Sequence, residues 1–216
     1  MCGRDLLKIS PHRAGNWWEF SAVVLTGLLH LVFKSFDAKG LFIALAGISW
    51  MSYVVWQVRQ DPTRWKGWGF RTDNLRQAFM WPSVLFAGSG LAMAWYGIVA
   101  GRELWQGHML LLLFLYPLWG ILQQFLVQAL GVDNLIKIFP QHGLWLAIPI
   151  GVFLFALVHC PDWWLTLATG LMACFFIPFY IRDRNLWPLG LYHGWLGTFF
   201  YLWVLGRDPW VTVFGR

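Results

Sequence analysis

The stretch "ILQQFLVQAL", Ile121 to Leu130, decides how the chain is read. It sets Gln123, Gln124 and Gln128 inside an otherwise apolar run of the kind that crosses a bilayer as a helix. An amide is no general base at neutral pH, and left unpartnered in an apolar medium it costs several kcal/mol on the harshest transfer scale. In a helix Gln124 and Gln128 stand at i and i+4 on one face, with Gln123 rotated by about a quarter turn. Interhelical hydrogen bonds in membranes return only about 0.6 to 1.7 kcal/mol. The amide face therefore turns from lipid to the interior of a helical bundle and meets polar partners on other helices.

The remainder of the chain fits that reading. Of 216 residues, 58% are hydrophobic and 12% charged, and the mean hydropathy is +0.55. A soluble domain of this length exposes far more charge, so the fold class is all-α, a polytopic transmembrane helical bundle. A crossing helix needs about 20 predominantly apolar residues. Seven windows meet that requirement: 17–36, 41–58, 78–100, 108–130, 143–160, 163–181 and 186–205. The short joint "CPDW", residues 160–163, makes either a tight hairpin or a re-entrant segment, so the count of about seven runs from six to eight. Prolines 82, 117, 149, 178 and 188 fall in or at the ends of these windows, where membranes tolerate them as kinks. No repeat or low-complexity linker divides the chain, and 1–216 reads as a single integral membrane domain. The basic, then apolar N-terminus lacks a small-residue cleavage site and reads as an uncleaved first span.

The net charge of +6 reads through topology and not as a nucleic-acid face. With the N-terminus in the cytoplasm, eleven Lys and Arg fall on the cytoplasmic side and five outside. The basic loops, with no targeting motif, suggest a prokaryotic inner membrane. Trp17, Trp18, Trp56, Trp105, Trp163, Trp164 and Trp210 lie near span ends, where amphipathic rings favour the interface. Cys2, Cys160 and Cys174 show no metal or redox spacing, and Cys174 in its apolar run reads as a buried structural thiol.

Ionisable residues at membrane depth are functional candidates because of their desolvation cost. His12 and His142 fall in loops, His108 at a helix start, and His30 alone on the first span, where a singly bonded histidine is the ordinary explanation. His159 closes "FALVHCPDW", with Phe155 one turn below on the same face. His193 lies in "NLWPLGLYHGWLGTF" among Gly190, Gly194 and Gly197, which permit close helix approach. These two histidines are the natural partners for the glutamines, with Asp162, Tyr116 and Tyr192 also suited by type.

In that order and context the chain resembles the CPBP family. These membrane glutamic proteases include the CAAX prenyl endopeptidases and the Abi-like bacteriocin-processing or immunity proteins. The family reads EExxxR on one span, FxxxH on a later one and HxxxN on a third. Here "QQFLVQ" (123–128), "FALVH" (155–159) and "HGWLG" (193–197) stand in those places. The lead-in "RNLWPLGLYH" (184–193) and the segment "WGFRTDNLRQA" (68–78) are also similar, so the CPBP-like core spans about 65–205.

The resemblance implies that the second glutamate and the FxxxH histidine activate a water while the last histidine and asparagine hold an oxyanion. Gln123 and Gln124 occupy the glutamate positions, Gln128 the arginine position and Gly197 the asparagine position; His159 and His193 are retained. A charged trio has become a neutral one of similar shape, and an amide cannot take a proton as a carboxylate does. Catalytic candidates are thus His159, His193, Gln124 and Gln123, with Gln128, Phe155, Asp162, Tyr192 and Gly197 lining or supporting a cavity. A catalytic zinc wants three protein ligands, and Asp162 is explained as the cap of the following helix, so neither metal nor cofactor is expected. Two functions stand open: a protease-like hydrolase with altered residues, or a non-catalytic scaffold that binds a lipid, a substrate or a membrane-embedded or prenylated peptide. The lipid bilayer is a partner in both.

Overall fold

The computed structural model describes residues 15–36 and 38–214; Cys2, His12 and the basic leader lie outside the described residues. The first helix, α1 (Trp17–Ser35), is started by Asn16, whose side chain accepts the N–H groups of Trp18 and Glu19. The following helices are α2 (Lys39–Gln60), α3 (Thr63–Gly67), α4 (Leu75–Val99) and α5 (Met109–Gln124). α5 continues through a π-helical segment, Phe125–Val132, into α6 (Asp133–Ile138). Then come α7 (Gly143–Leu157), α8 (Trp163–Asp183), α9 (Trp187–Phe199), a second π-helical segment at Phe200–Leu205, and α10 (Pro209–Phe214). No strand occurs among the described residues.

Lys39–Gln60, Leu75–Val99, Met109–Ile138 and Trp163–Asp183 are long and apolar enough to cross a membrane, and Gly143–Leu157 is a shorter apolar helix. α1 and the α9 segment fill the other two windows read from the sequence. The main departure is the glutamine helix: it runs unbroken to Ile138, eight residues past the window, because the π-helical turns carry it through Gly131. The protein is an all-α integral membrane bundle.

Helix ends collect at two poles. At the first, Asn134 accepts the Asn16 N–H at 2.8 Å and donates to Glu19 at 2.8 Å, while Glu19 also bonds the Tyr53 hydroxyl and lies 3.7 Å from Arg64. The segments Trp68–Ala78 and Arg184–His193, two stretches of the family likeness, meet here. Leu186 N–H donates to the Gly69 carbonyl at 2.9 Å, and Asn185 donates to Arg71 O at 2.9 Å and Asn74 Oδ1 at 2.8 Å. Under them Arg184 forks onto both oxygens of Asp133. Tyr180 completes the knot, its hydroxyl 2.9 Å from Trp68 O and 3.2 Å from Asp133 Oδ2. At the second pole Lys34 Nζ donates to the carbonyl of Cys160 at 2.5 Å, Arg207 pairs with Asp162, and His108 lies 2.8 Å from Asp208.

The closest helix pair is α5 against α9. A Cβ on Gly120 would meet Gly190 O at 2.5 Å and Gly194 N at 2.9 Å, and one on Gly194 would strike the backbone of Tyr116 and Pro117. Gly190 and Gly194 thus serve the close approach that small residues allow in membranes; Gly197 does not, since its added Cβ would meet only Tyr116, at 3.9 Å.

Two expectations are corrected. Cys174 is exposed on α8, because its neighbour Ala173 takes the inward face and successive residues diverge by about 100° on a helix. Trp17, Trp18, Trp56, Trp105, Trp163 and Trp164 do stand exposed near helix ends, but Trp210 turns inward and lines a cavity.

Candidate functional site

α5 supplies the glutamines, α7 and its C-terminal turn supply Phe155 and His159, and α9 supplies His193. Gln124 and Gln128 are both about 1% exposed and form one chain of bonds: Gln128 Nε2 donates to Gln124 Oε1 at 3.0 Å, and Gln124 Nε2 lies 3.2 Å from His193 Nδ1. The widened π-helical turns begin directly after Gln124, the sort of local distortion that recurs at functional sites. Gln128 Oε1 is buried without a partner. This neutral amide occupies the arginine position of the family pattern and leaves part of its hydrogen-bonding capacity unused.

With the Gln124 and Gln128 amides oriented as they stand, these contacts assign the imidazole hydrogens. Gln124 Oε1 is occupied as an acceptor, so its nitrogen donates to His193 Nδ1; His193 is then neutral and carries its hydrogen on Nε2. His159 Nδ1 lies 2.8 Å from the carbonyl oxygen of Phe155, which can only accept. His159 therefore carries its hydrogen on Nδ1 and keeps the lone pair on Nε2. The Phe155 ring stands between the two histidines, edge-on to each at a centroid distance of 5.3 Å. One imidazole is left with a free acceptor, the other with a free donor.

A cavity of about 420 Å³ is lined by both histidines together with Gln123, Tyr116, Gly194 and Gly197. That volume lies in the range of small-molecule sites, roughly 300–1,000 Å³. No Asp or Glu lines it among the described residues; its cations are Lys34 and Lys39, where α1 ends and α2 begins. A smaller cavity of about 110 Å³ between α1, α5 and α7 shares Gln123, His30, Trp119 and Val158 with the first. Gln123 thus stands in the wall between the two, while Gln124 lies one layer behind His193 and lines neither. His30 packs against Phe42 at 5.0 Å and, unlike an isolated histidine, faces both cavities.

Other candidates fall elsewhere. Tyr192 bonds Ser83 at 2.7 Å and stacks on Phe86 at 4.6 Å, away from the cavity, because it is one helical step from His193. Asp162 also lies outside the cavity wall and caps α8, accepting the Leu165 N–H at 3.2 Å. Phe155 is buried and lines the smaller cavity, while Gly197 lines the larger, where it leaves open space. Sequence reasoning missed Lys34 and Lys39 because each sits at a predicted span end, where a lysine is ordinary. It missed Asp133 because the window stopped at residue 130; an acid just beyond a long apolar run was the available signal.

Comparison with known proteins bears on residues 105–199, which match the family model described as type II CAAX prenyl endopeptidase Rce1-like. All three motif positions fall inside that match, and the segment at 68–78 falls outside it. No curated protein and no solved structure matched the chain. The match over residues 105–199, which takes in the glutamine helix and both histidines, is to an Rce1-like domain, the CPBP type that the motifs resemble.

Proposed function

We propose that the protein is a membrane-embedded acyl hydrolase of CAAX-protease type in which a histidine pair does the work of the family's glutamates. The observation that carries this reading is the opposite assignment of the two ring hydrogens on one cavity. His159 Nε2 accepts a proton from water as the water oxygen attacks a substrate carbonyl carbon. His193 Nε2–H donates to the carbonyl oxygen as it becomes an oxyanion, and the Gln123 amide orients the water. The protonated His159 then returns its proton to the leaving nitrogen or oxygen as the carbonyl re-forms, which leaves an acid and an amine or alcohol. A neutral imidazole with an open ring nitrogen can take a proton and return it within one turnover.

Gly197, where the family has an asparagine, leaves the oxyanion with one donor fewer, and such a donor is worth about 10²–10³ in rate. Slow turnover follows. Candidate substrates are membrane-embedded or prenylated peptides, the class the resemblance implies. We further infer that the pole carrying Arg59, Arg64, Lys66 and Arg71 faces the cytoplasm of a prokaryotic inner membrane, since cations accumulate there.

The test is cleavage of fluorogenic membrane peptides and acyl esters by purified protein in lipid, with His159→Ala, His193→Ala and Gln123→Glu alongside the wild type. Slow wild-type cleavage, lost in His159→Ala and accelerated in Gln123→Glu, is expected. An inactive wild type refutes the hydrolase. A second reading, a non-catalytic binding scaffold, draws on the absence of any carboxylate from the described cavity lining; it predicts an inactive wild type that still retains the same ligands.

A further inference from the structure

The two lysines of the larger cavity have no part in the chemistry above. Lys34 lies one turn beyond His30 on α1, and Lys39 opens α2; all three line the cavity, whose other walls are largely apolar. Lys34 Nζ donates to the carbonyls of Cys160 at 2.5 Å and His159 at 3.3 Å. An ammonium has three donors, so one remains for a ligand. Asp162, the acid nearest in sequence to that turn, is committed to the α8 cap and to Arg207. Lys39 makes no ion pair with any described residue. Asp162 acts on Lys34 from outside the lining, and the result is a mostly apolar chamber whose described lining carries two ammonium groups at one end and no carboxylate.

We propose that this chamber binds a single-chain amphiphile with an anionic head: the carboxylate or phosphate is held by Lys34 and Lys39, and the apolar chain lies past His159 toward Leu112, Leu196 and Met172. A cationic head has no counterpart there, because no acid lines the cavity among the described residues, and a neutral head gains only the weaker bonds of uncharged partners. Leu171 and Phe175 of α8 line the same cavity and are also exposed on the outer face of the bundle. A chain entering from lipid would pass between them and α2. Because Lys34 grips the carbonyl of His159 itself, the head group and the base share one short segment of backbone. This deepens the hydrolase reading by naming the kind of molecule its site receives, and it does not require turnover.

The experiment is equilibrium competition for binding of labelled palmitate to the full chain in nanodiscs of neutral lipid. Competitors are palmitate, lysophosphatidic acid, hexadecanol, hexadecylammonium and an apolar peptide with a free or amidated C-terminus. Palmitate or lysophosphatidic acid should outcompete hexadecanol by at least about tenfold, the lower end for a hydrogen bond to a charged group. Which of the two wins identifies the head as carboxylate or phosphate. Lys39→Gln and Lys34→Gln should each bring the anionic ligand down toward the alcohol, and Lys39→Glu should reverse the order in favour of hexadecylammonium. Lys39→Gln breaks no hydrogen bond or ion pair among the described residues, so its result stands even where Lys34→Gln loosens the turn after α7. His159→Ala/His193→Ala, whatever it does to absolute affinity, should keep the preference for palmitate over hexadecanol, which separates this proposal from failure of the hydrolysis reading. Equal affinity for palmitate and hexadecanol, or no change in Lys39→Gln, overturns the proposal. So does preference for the free-acid peptide with no binding of either lipid.

Discussion

Arg184→Met tests the knot that fixes the start of α9 and with it the position of His193. Asp133 is 2% exposed and accepts from both guanidinium nitrogens of Arg184 and from the Tyr180 hydroxyl. The guanidinium also lies over the Tyr180 ring, 4.6 Å from its centroid, and reaches the Gly67 carbonyl at 3.3 Å. Removing the cation leaves a buried carboxylate with one hydroxyl donor, and stranding one member of a buried pair costs about 3–5 kcal/mol. For a chain of this size 1 kcal/mol corresponds to roughly 2–4 °C in melting temperature, so Arg184→Met should melt about 6–20 °C lower. Asp133→Leu/Arg184→Met removes both charges and should recover to near wild type, since apolar replacement of a whole buried pair is often neutral or stabilising. Arg184 also sits at φ 51° as the C-cap of α8. Arg184→Gly should therefore be about 1 kcal/mol better than Arg184→Ala, because only the alanine pays the left-handed penalty. The assay is thermal challenge of detergent-purified protein followed by size-exclusion recovery of the folded protein. A single variant within about 3 °C of wild type, or a double variant as damaged as the two singles combined, refutes the argument.

Two further outcomes follow from particular residues. Gly194→Ala drives a methyl into the backbone of Tyr116 and Pro117 and should cost about 3 kcal/mol or more, whereas Gly88→Ala on α4 meets nothing within 4 Å and should be neutral or gain up to about 1 kcal/mol of helix propensity; the same melt compares them. Partial burial pushes the Asp162 carboxyl up, but the Leu165 N–H and the Arg207 guanidinium outweigh it and hold the group below its ordinary value. Stability from Asp162 is thus present above the usual carboxylate pKa and lost as pH falls through the lowered one; melts from pH 7 to pH 3 should show a smaller acid-side drop in Asp162→Asn than in wild type, and identical curves would refute it.

Much of this was legible in the sequence because membranes impose a crude rule. Apolar runs near the required length became helices almost window by window, and of the three amides in one such run Gln124 meets His193 on another helix, while Gln128, equally buried, bonds Gln124 of its own helix. The division of labour between adjacent residues was not legible. Gln123 reaches the cavity and Gln124 does not, a matter of about 100° of helix rotation fixed by how closely Gly120 lets α9 approach. Nor could linear order show that Asp133 and Arg184, 51 residues apart, are one ion pair, since each alone reads as an ordinary charge at a helix end. The histidine hydrogens were likewise out of reach, because they depend on which atom faces each ring nitrogen.

The π-helical turns after Gln124 have a consequence for how this chain tolerates change in length. The same continuous helix carries Gln124 toward His193 at one level and, past the wide turns, Asp133 toward Arg184 and Asn134 toward Glu19 at another. The two sets of neighbours are therefore locked in a fixed angular phase by the number of residues between them. Deleting one residue from 125–132 with the wide turns kept would swing everything beyond it by roughly a quarter turn, turning Asp133 from its cation, whereas closing the wide turns to α geometry would offset part of that swing. The wide turns act as a phase adjuster between a chemical level and an anchoring level.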